Sequence, residues 1–165
     1  MKNRIKTSAD LLMTAIYVLI FLCMTLLMYS SIVISKHAFT FITIGGAGTA
    51  RTIHMLCAYW GLVLMSVHLG IYISQIAARF KLKDKLCKVL TIAFKLLSAV
   101  GIYEFIKLKF AEFLFCRVQF VFIDSSASVL MKTFQYLAVM ILFAEIGYWI
   151  GKIIIHTAKG SEKTL

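Results

Sequence analysis

Two histidines, His54 and His68, stand fourteen positions apart in the stretch Arg51 to Gln75, RTIHMLCAYWGLVLMSVHLGIYISQ, which has no charge after Arg51. At about 100° per residue, fourteen steps return to within roughly 40° of the starting direction, so a helix would carry both imidazoles on one face. The rings would be roughly 21 Å apart along the axis. A hydrocarbon core is about 30 Å thick, so one ring falls near each side of it. Gly61 lies halfway between them, on almost the same face. A position without a side chain leaves room for something flat against the backbone. Two histidines and a mid-span glycine on one transmembrane stripe are what two stacked haems, one per leaflet, require. The competing reading is structural, because an imidazole in hydrocarbon can instead hydrogen-bond a neighbouring helix.

Neutral imidazole is a good ligand for haem iron, and its second nitrogen needs a partner to fix the tautomer. Histidine at both axial positions leaves no open site, which suits electron transfer and disfavours oxygen chemistry. Arg51 lies one helical turn before His54 and can pair with haem propionates through its planar fork, or serve as an ordinary interfacial cation. Tyr59 and Trp60 are expected to pack. The two histidines are too distant to share one metal ion. No carboxylate pair, metalloprotease helix or serine–histidine arrangement points to hydrolysis, so an enzyme acting alone is not expected.

The elements that must position these residues are membrane spans. Of 165 residues 61% are hydrophobic, and the mean hydropathy of +0.91 is far above that of a soluble domain. No polar stretch is long enough to fold separately, so residues 1–165 read as a single membrane domain. A net charge of +11 records, in such a chain, topology and contact with membrane lipids; no nucleic-acid partner is expected. Cys23, Cys57, Cys87 and Cys116 show no C-x-x-C spacing and read as small apolar fillers.

The expected fold is all-α, an integral membrane four-helix bundle with spans at about 10–34, 52–78, 89–106 and 129–155. The first span follows Lys2, Arg4 and Lys6 and is too long for a signal core, so it is read as retained. A connection containing His37 and Gly45, Gly46 and Gly48 leads into the histidine span and is expected to turn tightly there. It lacks the strand and lysine of a phosphate-binding loop. The third span contains Lys95 and Glu104, and the fourth contains Glu145 followed by Tyr148 and Trp149. Lys95 and Glu145 fall at similar depth, so an ion pair between them is one expectation. Residues 108–124, rich in phenylalanine but broken by Lys109, Glu112 and Arg117, read as a short amphipathic segment at the membrane surface. Lysines and arginines cluster at the N-terminus, between spans two and three (Arg79, Lys81, Lys83, Lys85, Lys88) and at the C-terminus. The positive-inside rule then puts both termini in the cytoplasm and His54 toward the outer surface.

The string RTIHMLCAYWGLVLMSVHLG resembles the flavinylation-associated cytochrome family of bacterial membranes, formerly a domain of unknown function. The likeness continues through SSIVISKHAFTFITIGGAGTARTIHM before it, and through GIYEFIKLKFAEFLFCRVQFVFID and YLAVMILFAEIGYWIGKI after it, covering most of the chain. The resemblance implies a multi-pass b-type cytochrome of the bacterial cytoplasmic membrane. It would hold one or two haem b groups and pass electrons toward extracytosolic flavoprotein partners. The family's histidine positions carry over onto His54 and His68. Where the family usually has a third histidine, four residues after the second, this chain has Tyr72. Family members also usually have two further spans upstream. The second axial ligands would then come from His37, from His156, or from a homodimer or separate subunit that completes the haem sites.

Two other readings stand beside this one. The chain can be a haem-free structural subunit whose histidines bond neighbouring helices. It can also be a small carrier with Lys95, Glu104 and Glu145 along a polar path.

Overall fold

A computed structural model describes residues 2–35, 46–79, 84–117 and 128–160. His37, the side chains of Cys87 and His156, and the expected surface segment beyond residue 117 lie outside the described residues. Five helices follow in order: α1 (Lys2–Ile34), α2 (Ala47–Arg79), α3 (Asp84–Lys107), α4 (Phe110–Leu114) and α5 (Val129–Gly160). No strand occurs among the described residues, and the fold is an all-α helical membrane bundle. Helix is the form in which one segment satisfies its own backbone polar groups inside hydrocarbon.

Among the described residues, three helices are long and apolar enough to cross a membrane, over Leu11–Ile34, Gly48–Ala78 and Val129–Ile155. These agree closely with the spans expected at 10–34, 52–78 and 129–155. Helix α3 runs unbroken through the expected span at 89–106, but with Lys95 and Glu104 in it, it is not among these three. The turn expected before α2 is present at Gly46, whose φ of +98° an L-residue rarely adopts, and whose carbonyl accepts a bond from Ala50 N–H at 3.0 Å.

The helices stand in the order α1, α2, α5, α3, with α2 against α5 the most extensive contact. That contact is made by residues with almost no side chain. A Cβ placed on Gly70 would meet the Ala144 carbonyl oxygen and lie 2.7 Å from the Tyr148 nitrogen. One on Gly147 would meet the Val67 backbone, with carbons at 2.9 Å, and one on Gly151 would meet the Ser74 hydroxyl. Gly101 does the same for α3 against Ala138 and Leu142 of α5. Ser66 and Ser74 are buried, but each hydroxyl donates to a carbonyl of its own helix, Leu62 and Ile71, at 2.7 Å. Neither therefore needs a partner across the interface.

Helix α4 folds back onto the bundle. Phe110 is wholly buried, and Tyr59 of α2 meets it edge-on at 4.8 Å while stacking on Phe113 at 5.0 Å. Phe105 of α3 and Phe143 of α5 close the cluster. The Tyr59 hydroxyl reaches that of Tyr136 at 3.2 Å, and Trp60 Nε1 donates to the Leu114 carbonyl at 3.1 Å. Over its described part, the expected amphipathic segment keeps its charged Lys109 and Arg117 exposed while Phe110 and Phe113 turn against α2; Phe115 stays exposed. Many outward residues of α1, α3 and α5, such as Phe21, Ile106 and Val129, are exposed and apolar, which suits lipid contact.

Gly61 meets nothing nearer than Cys23 Cβ at 4.0 Å, an ordinary contact distance. Gly61→Ala should therefore leave the thermal midpoint of the purified protein within a few degrees of wild type. Gly147→Ala and Gly70→Ala should each lower stability by about 1–3 kcal/mol or prevent folding, as overpacking does. Equal behaviour of all three variants would contradict the close approach of α2 and α5.

Candidate functional site

The histidine stripe of α2 faces α1. His54 Nδ1 lies 3.0 Å from Ser30 Oγ and 3.5 Å from Ser31 Oγ. Both serine hydroxyls donate to the Leu27 carbonyl, at 3.0 and 2.8 Å. A hydroxyl has one proton to give. With that proton on Leu27, the Ser30 oxygen can only accept from the imidazole. In that arrangement His54 donates from Nδ1 and its Nε2, which has no hydrogen-bond partner among the described residues, keeps its lone pair; with the hydroxyl turned to Nδ1 instead, the ring proton sits on Nε2. Ser30 is itself buried, so the contact is shielded from competing polar groups.

His68 is held differently. The Tyr17 ring of α1 meets it edge-on at 5.0 Å and 61°, and Tyr72, one turn further along α2, lies 6.4 Å away at 28°. Its Nδ1 is buried without a hydrogen-bond partner. An unpaired buried polar atom costs about 1–3 kcal/mol, so a sequence that keeps one calls for a reason.

Between the histidines, Gly61 is buried beneath Cys23 of α1. The space expected there for a flat ligand is filled by a neighbouring helix. Cys57, one turn before Gly61, is also buried, with Cys23 and Cys116 close to it. All three cysteines are free thiols. Cys23 and Ser30, seven residues apart, share a face of α1 and match the seven-residue step from His54 to Gly61 on the antiparallel α2. That matched spacing is visible in the sequence, but it does not by itself single out α1 as the partner of the histidine face.

Arg51 is exposed at the start of α2, three residues from His54. It forms no ion pair among the described residues. The described side chains include two histidines, and no group of three or more His, Cys, Asp or Glu among them is arranged around a metal ion. Each imidazole retains a nitrogen that could bind iron, which suits haem; the face between them, covered by α1, does not leave space for a porphyrin. The opposite axial ligand is not supplied by the described residues.

Lys95 and Glu145 both line one open groove of about 390 Å³ between α2, α3 and α5, with Lys152 and Trp149. The expected ion pair is not formed: the pairs among the described residues are Lys107–Glu104 and Lys109–Glu112, both at 3.8 Å. Glu104 stands apart from the groove, with Oε2 buried and unpartnered. The three charges of a polar path are therefore not brought together.

In 15N spectra of the protein in bilayers, His54 should be protonated at Nδ1, and Ser30→Ala should convert it to a mixture of tautomers. Ser30→Ala should also cost about 1–2 kcal/mol of stability, against a smaller effect for Ser31→Ala. A wild-type His54 protonated at Nε2 would contradict the serine proton resting on Leu27. Compared with family models, with curated proteins and with solved structures, the chain finds no match in any of the three.

Proposed function

We propose that the chain is a membrane-embedded b-type cytochrome-like subunit that carries electrons across a bilayer through haem held by His54 and His68. The observation that carries this reading is the contact of Ser30 Oγ with His54 Nδ1, which, with the serine proton on Leu27, leaves Nε2 for iron. Haem ligands commonly have the other ring nitrogen tied in this way, which fixes orientation and raises ligand basicity. Bound haem would supply reversible one-electron chemistry between ferrous and ferric iron.

Within the chain, Ser30 orients the imidazole of His54, and Tyr17 and Tyr72 restrain that of His68. Arg51, exposed beside His54, is positioned to meet carboxylate groups at the membrane surface. The two imidazoles sit on one rigid helix at depths roughly 21 Å apart, which suits passage of an electron between leaflets. A homodimer or a separate subunit would complete the axial sites. Read with the resemblance and the distribution of positive charge, the chain is a multi-pass protein of the bacterial cytoplasmic membrane, with four spans including α3. Both termini are cytoplasmic and the electron acceptors are extracytosolic flavoproteins.

A second reading has an observation of its own. The Ser30–His54 bond and the seating of Cys23 over Gly61 also serve a haem-free structural subunit, in which the histidine stripe binds α1 to α2.

One preparation separates the two. Protein purified from haem-replete cells, with its natural membrane partners retained, should show Soret and alpha bands that sharpen on reduction. His54→Ala and His68→Ala should each remove part or all of that absorbance. A well-folded preparation without porphyrin absorbance would leave the structural reading.

A further inference from the structure

The groove that takes up Lys95 and Glu145 is walled by Ile73 and Ala77 of α2, Phe94 of α3, and Trp149 and Lys152 of α5. It is open along its length and mainly apolar, with charged groups entering from two sides. Lys152 stands at the end of α5 nearest the basic connection, its Nζ 5.3 Å from the Trp149 ring centroid. Glu145 lies seven residues earlier, roughly 10 Å deeper along the helix. Lys95 faces from α3 and is exposed. Neither lysine has a carboxylate partner among the described residues.

Two ammonium groups without a carboxylate partner among the described residues, beside a mainly apolar groove, are complementary to a phosphate joined to a hydrocarbon chain. Lysine side chains near a membrane boundary extend toward the polar surface, which brings Lys95 toward the level of Lys152. Trp149 lines the same groove with Lys152 over its ring, and indole rings commonly meet the headgroup region. A soluble anion would need only the lysines and would leave the wall of Ile73, Ala77 and Phe94 without a partner. With two lysines against one glutamate, the lining also favours a net negative headgroup.

The geometry points to a binding site for an anionic phospholipid of the leaflet nearest the basic connection. Lys95 and Lys152 hold its phosphate, and one acyl chain lies along Ile73, Ala77 and Phe94. Glu145 sets the lower limit of the headgroup, because a second negative charge near it is repelled. The site does not depend on the histidines or on haem.

Trp149 reports on its own groove. In a Trp60→Phe protein it is the sole tryptophan, and acyl chains brominated near the headgroup quench it on contact. Reconstituted into phosphatidylcholine vesicles containing a minor fraction of brominated lipid, this protein should be quenched about fivefold more effectively by phosphatidylglycerol than by phosphatidylcholine. That is the scale of one basic residue near an anionic surface. Lys95→Gln with Lys152→Gln should bring the ratio close to one, while Lys83→Gln with Lys85→Gln in the basic connection should leave it high. Glu145→Gln should raise it. A ratio near one in the starting protein, or a high ratio that survives loss of both groove lysines, would overturn the site. Loss of the preference on adding millimolar inorganic phosphate would assign the lysines to a free anion and overturn the lipid.

Discussion

Lipid tails are as apolar as leucine, so a membrane helix gains little by hiding a leucine from them. Helices in this setting hold together by close van der Waals approach, and small residues decide where that approach is possible. In this chain the constraint falls on α2. On one side Gly70 and Ser74 admit the backbone of α5, and Gly147 and Gly151 return the same access to α2. On another side α1 packs over Gly61 at an ordinary contact distance, with Cys23 facing it. The central placing of α5 between α2 and α3 follows from where Gly70, Gly101, Gly147 and Gly151 lie.

The same constraint shapes the candidate site. The histidine stripe is a seam between helices, not an open wall. Ser30 and Tyr17 stand opposite His54 and His68, so each imidazole is held by its neighbour across the seam. For His54 the consequence is chemical as well as mechanical. With the serine proton given to Leu27, the imidazole donates from Nδ1 and leaves Nε2 bare. For His68 the surroundings are aromatic and one nitrogen stays without a partner. Equivalent residues on one helix thus acquire different settings from what α1 presents to each.

The spans are legible in the sequence because hydropathy and length report them directly; Leu11–Ile34 and Val129–Ile155 lie almost where the sequence places them. The shared face of His54 and His68 is legible too, since helical periodicity requires it. Helix partners are harder to read. Every face of α1 or α5 is apolar, so periodicity does not distinguish lipid from protein. The Gly147-x-x-x-Gly151 step of α5 is plain in the sequence, but its meaning depends on Ser74 and Val67 lying opposite. Phe110 shows the same limit. Its neighbours Lys109 and Glu112 suggest a surface segment, and only the meeting of Tyr59, Phe105 and Phe143 accounts for its complete burial. Lys95 and Glu145 match in depth by residue count and line one groove, yet they form no ion pair.

The seating of α1 over the histidine face is the point on which the architecture of the site turns, and it can be tested directly. A Cβ on Gly61 would stand 4.0 Å from Cys23 Cβ, within the separation that disulfides adopt. A chain carrying Gly61→Cys, with Cys57, Cys87 and Cys116 changed to serine, should close an intrachain disulfide with Cys23 on oxidation in native membranes. The bond would be seen as a mobility shift reversed by reductant. If both thiols instead stay open to alkylation and no intrachain bond forms, α1 does not lie over the histidine face. Neither the Ser30–His54 bond nor the Tyr17–His68 contact could then stand.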